Sequence, residues 1–173
     1  LLQNPGPIIL SSPVSHAYES PLLLFTCNRA NYLAETLDDI FNNMPRPCRF
    51  GCPIIVSEDG QKADVRNVIL SYKEKFEAEG ITLLHIQHNQ ASLTSRGSSV
   101  PSKAAYQALA KHYAWALSEV FNGNVHSMLP IPQRVIILEE DIHTAPDFFS
   151  YMEATSKLLD EDSYLFAVSA YND

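Results

Sequence analysis

Val135-Ile136-Ile137-Leu138-Glu139-Glu140-Asp141 is an apolar run closed by three consecutive acids, and it continues as Ile142-His143-Thr144-Ala145-Pro146-Asp147-Phe148-Phe149. The aliphatic run reads as a strand buried on both faces, and Pro146 suits the first turn of a helix. The acids then stand at the carboxyl end of a strand, the rim on which open α/β sheets hold their ligands. Three adjacent carboxylates repel one another, so a cation is expected among them, and a divalent metal is the natural candidate.

The same alternation extends in both directions from this stretch. Leu22-Leu23-Leu24-Phe25-Thr26 is a buried strand ending in Cys27-Asn28-Arg29, and the helical spacing of Leu33, Leu37, Ile40 and Phe41 predicts a helix over 30–42. Ile54-Ile55-Val56-Ser57 is a second strand; it too ends on acids, Glu58 and Asp59, before Gly60 turns the chain. A helix over 63–79 carries Val65, Ile69, Tyr72 and Phe76 on one stripe, and a third strand follows at 82–86. Residues 88–102 are polar and serine-rich without periodicity, as in a functional loop or an insert. A helix over 103–121 buries Ala105, Leu109, Tyr113, Ala116 and Val120, with His112 at the edge of that face. A helix over 146–159 and a last strand over 165–169 complete the pattern.

Strands that are continuous apolar runs, alternating with helices, predict an α/β fold. Its mostly parallel sheet carries helices on both faces through right-handed crossovers. Residues 1–20 read as an irregular, proline-broken lead-in, and 21–173 as one domain. Arg29, Asp59 and the acids 139–141 then share one crevice at the carboxyl edge.

Composition narrows the class. Apolar residues make up 46% of 173, enough for a real core, and the net charge of -8 leaves no basic stripe for nucleic acid or an anionic membrane surface. No apolar run approaches a membrane-spanning length, so any anchor is expected to lie outside this chain. The carboxyl terminus follows directly on an expected strand, which suggests part of a longer protein. Cys27, Cys48 and Cys52 show no repeated CxxC spacing, which argues against structural zinc; Cys48 and Cys52 either close a small loop or remain thiols.

A nucleoside diphosphate ester needs a metal between its phosphates, a cation beside them and groups that read its base. An acid such as Asp141 can hold Mn²⁺ or Mg²⁺, Arg29 can donate to a phosphate oxygen, and Asp59 can accept from an imide N–H such as that of uracil. The runs LLLFTCNRANYL, PIIVSEDG, LAKHYAWALSEVF and VIILEEDIHTAPDFFSYMEATSKLLDEDSYLFAVSAYND resemble the N-acetylglucosaminyltransferase I family, the α-1,3-mannosyl-glycoprotein 2-β-N-acetylglucosaminyltransferases. The related protein O-mannose β-1,2-N-acetylglucosaminyltransferases share the resemblance, which covers residues 21–173 in order; the acid triplet followed by APDFF is its most specific part.

The resemblance implies a GT-A-type, Rossmann-like fold and an inverting, Mn²⁺-dependent transfer of N-acetylglucosamine from UDP-N-acetylglucosamine, in β-1,2 linkage, to a mannose of a glycoprotein glycan. It implies the lumenal side of the Golgi apparatus, on a single-pass type II membrane protein. Carried over motif by motif, Asp141 is the metal ligand and Glu139 supports the metal through water. Glu140 meets the ribose, Arg29 the diphosphate, and Asp59, His112 and Leu109 the uridine. The family's catalytic base falls beyond Asp173, so this chain corresponds to the donor-binding part. Two departures stand out: Glu140 occupies a position usually held by aspartate, and Gly60 replaces a cysteine that would bridge to Cys27. Two other readings of the residues are a metal-dependent receiver-like module, whose acids would follow the first strand, and a non-catalytic UDP-sugar-binding module.

Overall fold

The computed structural model describes residues 20–89 and 103–170. The elements run β1 (Pro21–Thr26), α1 (Ala30–Asn43), β2 (Gly51–Asp59), α2 (Ala63–Ala78), β3 (Leu83–His88), α3 (Lys103–Phe121), β4 (Ile136–Glu139), α4 (Phe148–Ser156) and α5 (Leu158–Glu161). The four strands form one sheet in the order β3-β2-β1-β4, and every neighbouring pair is parallel. This is the α/β, Rossmann-like arrangement expected from the alternating pattern.

Alternation within β1 explains why the sheet is covered on both sides. Leu22 and Leu24 face a core built with Leu33, Leu37 and Ile40 of α1, Val65, Ile69 and Phe76 of α2, and Phe148 and Phe149 of α4. Leu23 and Phe25 face the opposite way, onto Ala116 and Val120 of α3. Successive side chains of a strand point to opposite faces, so a strand covered on both must be apolar throughout. Full burial of such side chains contributes about 1.5–3 kcal/mol each, which makes this double packing the main stabilising term.

Two expectations about strands are corrected. β4 is buried on one face only: Ile136 and Leu138 are covered, whereas Ile137 is 40% exposed. Ile137 pairs with Leu23 and shares its face, but among the described residues β4 is the edge of the sheet, and Ile137 is not in the cluster that Leu23 forms with α3. The run 165–169 is not a strand; it lies exposed, with Phe166 at 97%. Apolar composition makes a strand only where a neighbour takes up its N–H and C=O groups. Among the described residues no strand pairs with it, and the hydroxyl of Tyr151 donates to the carbonyl of Ser169.

The expected helix over 146–159 resolves into α4 and the single turn of α5, with Asp147 preceding α4. Its anchors, Phe148 and Phe149, explain why Gly51 begins β2. At φ +81° a Cβ on Gly51 would stand 2.8 Å from the Phe149 ring. Cys48 and Cys52, left open by the sequence, are joined in a disulfide, and Cys27 is free and exposed. The lead-in expected over 1–20 and the serine-rich loop fall mostly outside the described residues.

Candidate functional site

Strand order places the crevice before any side chain is considered. From β1 the chain moves to β2 and β3 on one side, whereas β4 joins on the other, so order reverses between β1 and β4. At such a reversal the connections leave on opposite faces and open a cleft at the carboxyl ends of the strands. α1 begins at Ala30, just past β1, and the acid triplet sits at the end of β4, so Arg29 and Asp141 meet across this cleft.

The three acids are divided between two donor side chains: Arg29 serves Glu140 and Asp141, and Tyr113 serves Glu139. Glu140 is buried, 3% exposed, and reaches back across the reversal to β1. Its Oε2 accepts from the Thr26 hydroxyl and from the Cys27 backbone N–H at 2.7 Å, and its Oε1 accepts from Arg29 Nε at 2.6 Å. Thr36 of α1 donates to the Glu140 carbonyl at 2.7 Å, so this residue ties β1, α1 and β4 together. Arg29 Nη1 donates to Asp141 Oδ2 at 2.7 Å. Tyr113, stacked flat on Phe25 with ring centroids 3.8 Å apart, donates to Glu139 at 2.6 Å.

Arg29 sets one positive charge against two of the three acids, and its guanidinium is held charged by its hydrogen bonds to Glu140 and then Asp141. Burial first, and then the Glu139 carboxylate, push the Tyr113 phenol above its ordinary range, keeping it a donor. Glu140 has both carboxylate oxygens engaged by protein groups, whereas Glu139 has one, Oε1. Asp141 keeps a side chain 34% exposed and an oxygen, Oδ1, that Arg29 does not use.

A second group of polar side chains lines the ends of β2 and β3. Asp59 and His88 are partners in the ladder, and His88 Nδ1 lies 3.0 Å from Asp59 Oδ1. Glu58, fully buried, accepts from His85 Nε2 at 3.0 Å and from the Lys62 backbone N–H at 3.1 Å, fixing the approach to α2. His112 is 2% exposed, not at the edge of its helix face. Its Nε2 shares a 2.8 Å hydrogen bond with Ser57 Oγ, its ring meets Phe25 edge-on, and His88 stacks on it at 5.5 Å. Burial pushes His112 down to about 4, against the opposing pull of Asp59. Cys27 lies between the two groups: its thiol is pushed up first by partial desolvation and then by the charges of Asp59 and Glu140.

The GNT-I family matches residues 9–173. An Arabidopsis thaliana protein, alpha-1,3-mannosyl-glycoprotein 2-beta-N-acetylglucosaminyltransferase, is 34% identical over 154 residues, which is 88% of this chain and 31% of the relative. The chain belongs to the GNT-I family. It spans about a third of the length of that relative.

Against this GNT-I background, the structure brings Arg29, Glu139, Glu140 and Asp141 to one side of the cleft and Asp59 and His112 to the other. Leu109, 44% exposed, lies one turn before His112 on α3. Glu140, expected at the ribose, has both carboxylate oxygens engaged within the protein, and His112, expected at the uridine, has its Nε2 bonded to Ser57. Thr26, Tyr113 and His88 belong to the site but escaped the sequence reading. A threonine closing a strand and a tyrosine on a buried helix face carry no signal of their own. His88 could have been found by pairing the ends of β2 and β3 in register.

Among the described residues no three His, Cys, Asp or Glu side chains converge on a metal position. A cation at this rim would have Asp141 as its side-chain ligand. That donor set fits Mg²⁺ or Mn²⁺, hard ions that accept one or two carboxylates and fill the remaining positions with phosphate oxygens and water.

Proposed function

We propose that this chain forms the donor-binding part of an inverting glycosyltransferase. The enzyme would transfer N-acetylglucosamine from UDP-N-acetylglucosamine, in β-1,2 linkage, to a mannose of a glycoprotein glycan in the Golgi lumen. The observation that carries the reading is the side-by-side placement of Arg29 and Asp141 at the strand-order reversal of a GNT-I family chain. The acceptor follows the printed name of the Arabidopsis relative.

Each residue has a task in this reading. Arg29 keeps Nη2 for a phosphate oxygen while Nε and Nη1 hold it against Glu140 and Asp141. A guanidinium fixed in this way loses little entropy when it binds a phosphate. Asp141 keeps Oδ1 outside its contact with Arg29 and would hold Mn²⁺ there, an ion that supplies charge neutralisation for the departing diphosphate. Asp59 accepts the uracil imide N–H, and the exposed Leu109 offers the base an apolar contact. Glu139 and Glu140 hold the rim in shape, Glu140 by tying β1 to β4. No residue of this chain is assigned as the base that takes the acceptor's proton.

Calorimetric titration of UDP-N-acetylglucosamine with Mn²⁺ and with chelator tests the reading. Binding that needs Mn²⁺, and that UDP competes for but GDP-mannose does not, is the expected result. Equal binding in chelator, or no binding of any uridine nucleotide, overturns it.

A further inference from the structure

We infer that His88 is a positioning residue: it holds one oxygen of Asp59 so that the other faces the nucleobase, and so sets the preference for uridine over cytidine. The inference rests on the reading of Asp59 as the uracil acceptor and adds to it the group that makes this acceptor selective.

The geometry is over-determined. Asp59 and His88 are Cα partners at the last rung of β2 and β3. The rung is extended by two more hydrogen bonds, from the Gly60 N–H to the His88 carbonyl at 3.0 Å and from Gln87 Nε2 to the Gly60 carbonyl at 2.6 Å. The imidazole cannot rotate freely, because it stacks nearly parallel on His112, 5.5 Å away at 9°, and against Trp115 at 4.9 Å. His112 is in turn held by Ser57. A carboxylate accepts only, so the 3.0 Å contact requires the proton on His88 Nδ1. Among the described residues no donor meets Asp59 Oδ2, and both side chains are mostly shielded from water.

A fixed acceptor is a selective one. Uracil presents N3–H to Oδ2, whereas cytosine presents a lone pair there and is repelled. Sites built to pair with a donor reject ligands that lack it, because their own polar atom is left unsatisfied. A carboxylate free to turn would instead swing away and rehydrate, and the discrimination would fall.

The test is the ratio of UDP to CDP affinity in Mn²⁺, measured for wild type, His88→Ala and His88→Asn. Wild type is expected to prefer UDP by at least about tenfold. His88→Ala should bring the ratio to within about threefold with Mn²⁺ dependence retained, and His88→Asn, whose amide N–H can replace Nδ1–H, should restore most of it. A ligand-free measurement keeps the inference separable from the donor reading. Imidazole nitrogen NMR, above the imidazole titration range, should show His88 protonated at Nδ1, with that preference lost in Asp59→Ala. An unchanged ratio in His88→Ala, an Asn variant no better than Ala, or His88 protonated at Nε2 each overturn the inference. Should wild type bind no nucleotide while His88 shows the expected tautomer, the donor reading has failed and the selectivity assignment falls with it, while the Asp59–His88 contact stands.

Discussion

Glu140 offers the sharpest stability test, because its carboxylate ties together strands that are distant in sequence. It is buried and accepts from Thr26, Cys27 and Arg29, while its carbonyl accepts from Thr36. Glu140→Ala removes all three carboxylate contacts. A hydrogen bond to a charged group contributes roughly 1.5–3 kcal/mol net, and a buried donor left unpaired costs about 1–3 kcal/mol. The Arg29 arm is discounted, since its side chain is 42% exposed and can hydrate. The Thr26 and Cys27 donors, which water reaches less easily, then set a loss of about 3 kcal/mol. For a domain of this size that is a fall in Tm of roughly 6–12 °C. Glu140→Asp is more telling, since aspartate is the residue that the family resemblance leads one to expect there. Retracting the carboxylate by one bond, about 1.5 Å, takes contacts of 2.6 and 2.7 Å beyond hydrogen-bonding range unless the backbone follows. A loss of about 2 kcal/mol is expected. Urea unfolding gives both values from the midpoint, provided the slope is unchanged. A neutral Glu140→Asp, or a cost below about 1 kcal/mol for Glu140→Ala, would refute the view that this side chain joins β1 to β4.

Two further outcomes follow from burial. His112 titrates near 4 when folded and near 6.5 when free, so between these values the unfolded chain binds the extra proton. The His112 contribution is therefore intact above about 6.5 and is lost as pH falls toward 4, by on the order of 3 kcal/mol. The urea midpoint of wild type should drop over this range relative to His112→Gln, and parallel profiles would contradict the assignment. Gly51→Ala should cost about 3 kcal/mol in the same assay, combining left-handed backbone strain with the Phe149 contact; a change under about 1 kcal/mol would mean that the ring moves aside.

Much of the fold was legible because β1 and the middle of β2, Ile54 to Val56, are apolar runs, and only burial on both faces supports such a run. Periodicity cannot see sheet order, and this is where the reading failed. Ile137 and Phe166 look alike in sequence, yet one lies on an edge strand and the other in a segment without a ladder. The site was legible to the level of the rim. Asp59, Arg29 and Asp141 announce themselves as charges at strand ends, and the reversal between β1 and β4 makes them neighbours of one cleft. The inward turn of His112 was not legible, because a histidine on a helix flank reads the same whether it faces ligand or Ser57. Nor was the division of labour among the acids, since charge alone does not say that Arg29 and Tyr113 already donate to Glu140 and Glu139.

The central claim is that Asp141 brings a divalent cation to the diphosphate of a uridine nucleotide at the β1–β4 reversal. Paramagnetic broadening of backbone amide NMR signals by Mn²⁺, with UDP present, locates that cation directly. The account predicts that signals of Cys27, Asn28, Arg29 and Asp141 broaden first, and that Asp141→Ala abolishes the effect while the rest of the spectrum stays folded. Broadening centred elsewhere, or unchanged in Asp141→Ala, would contradict it.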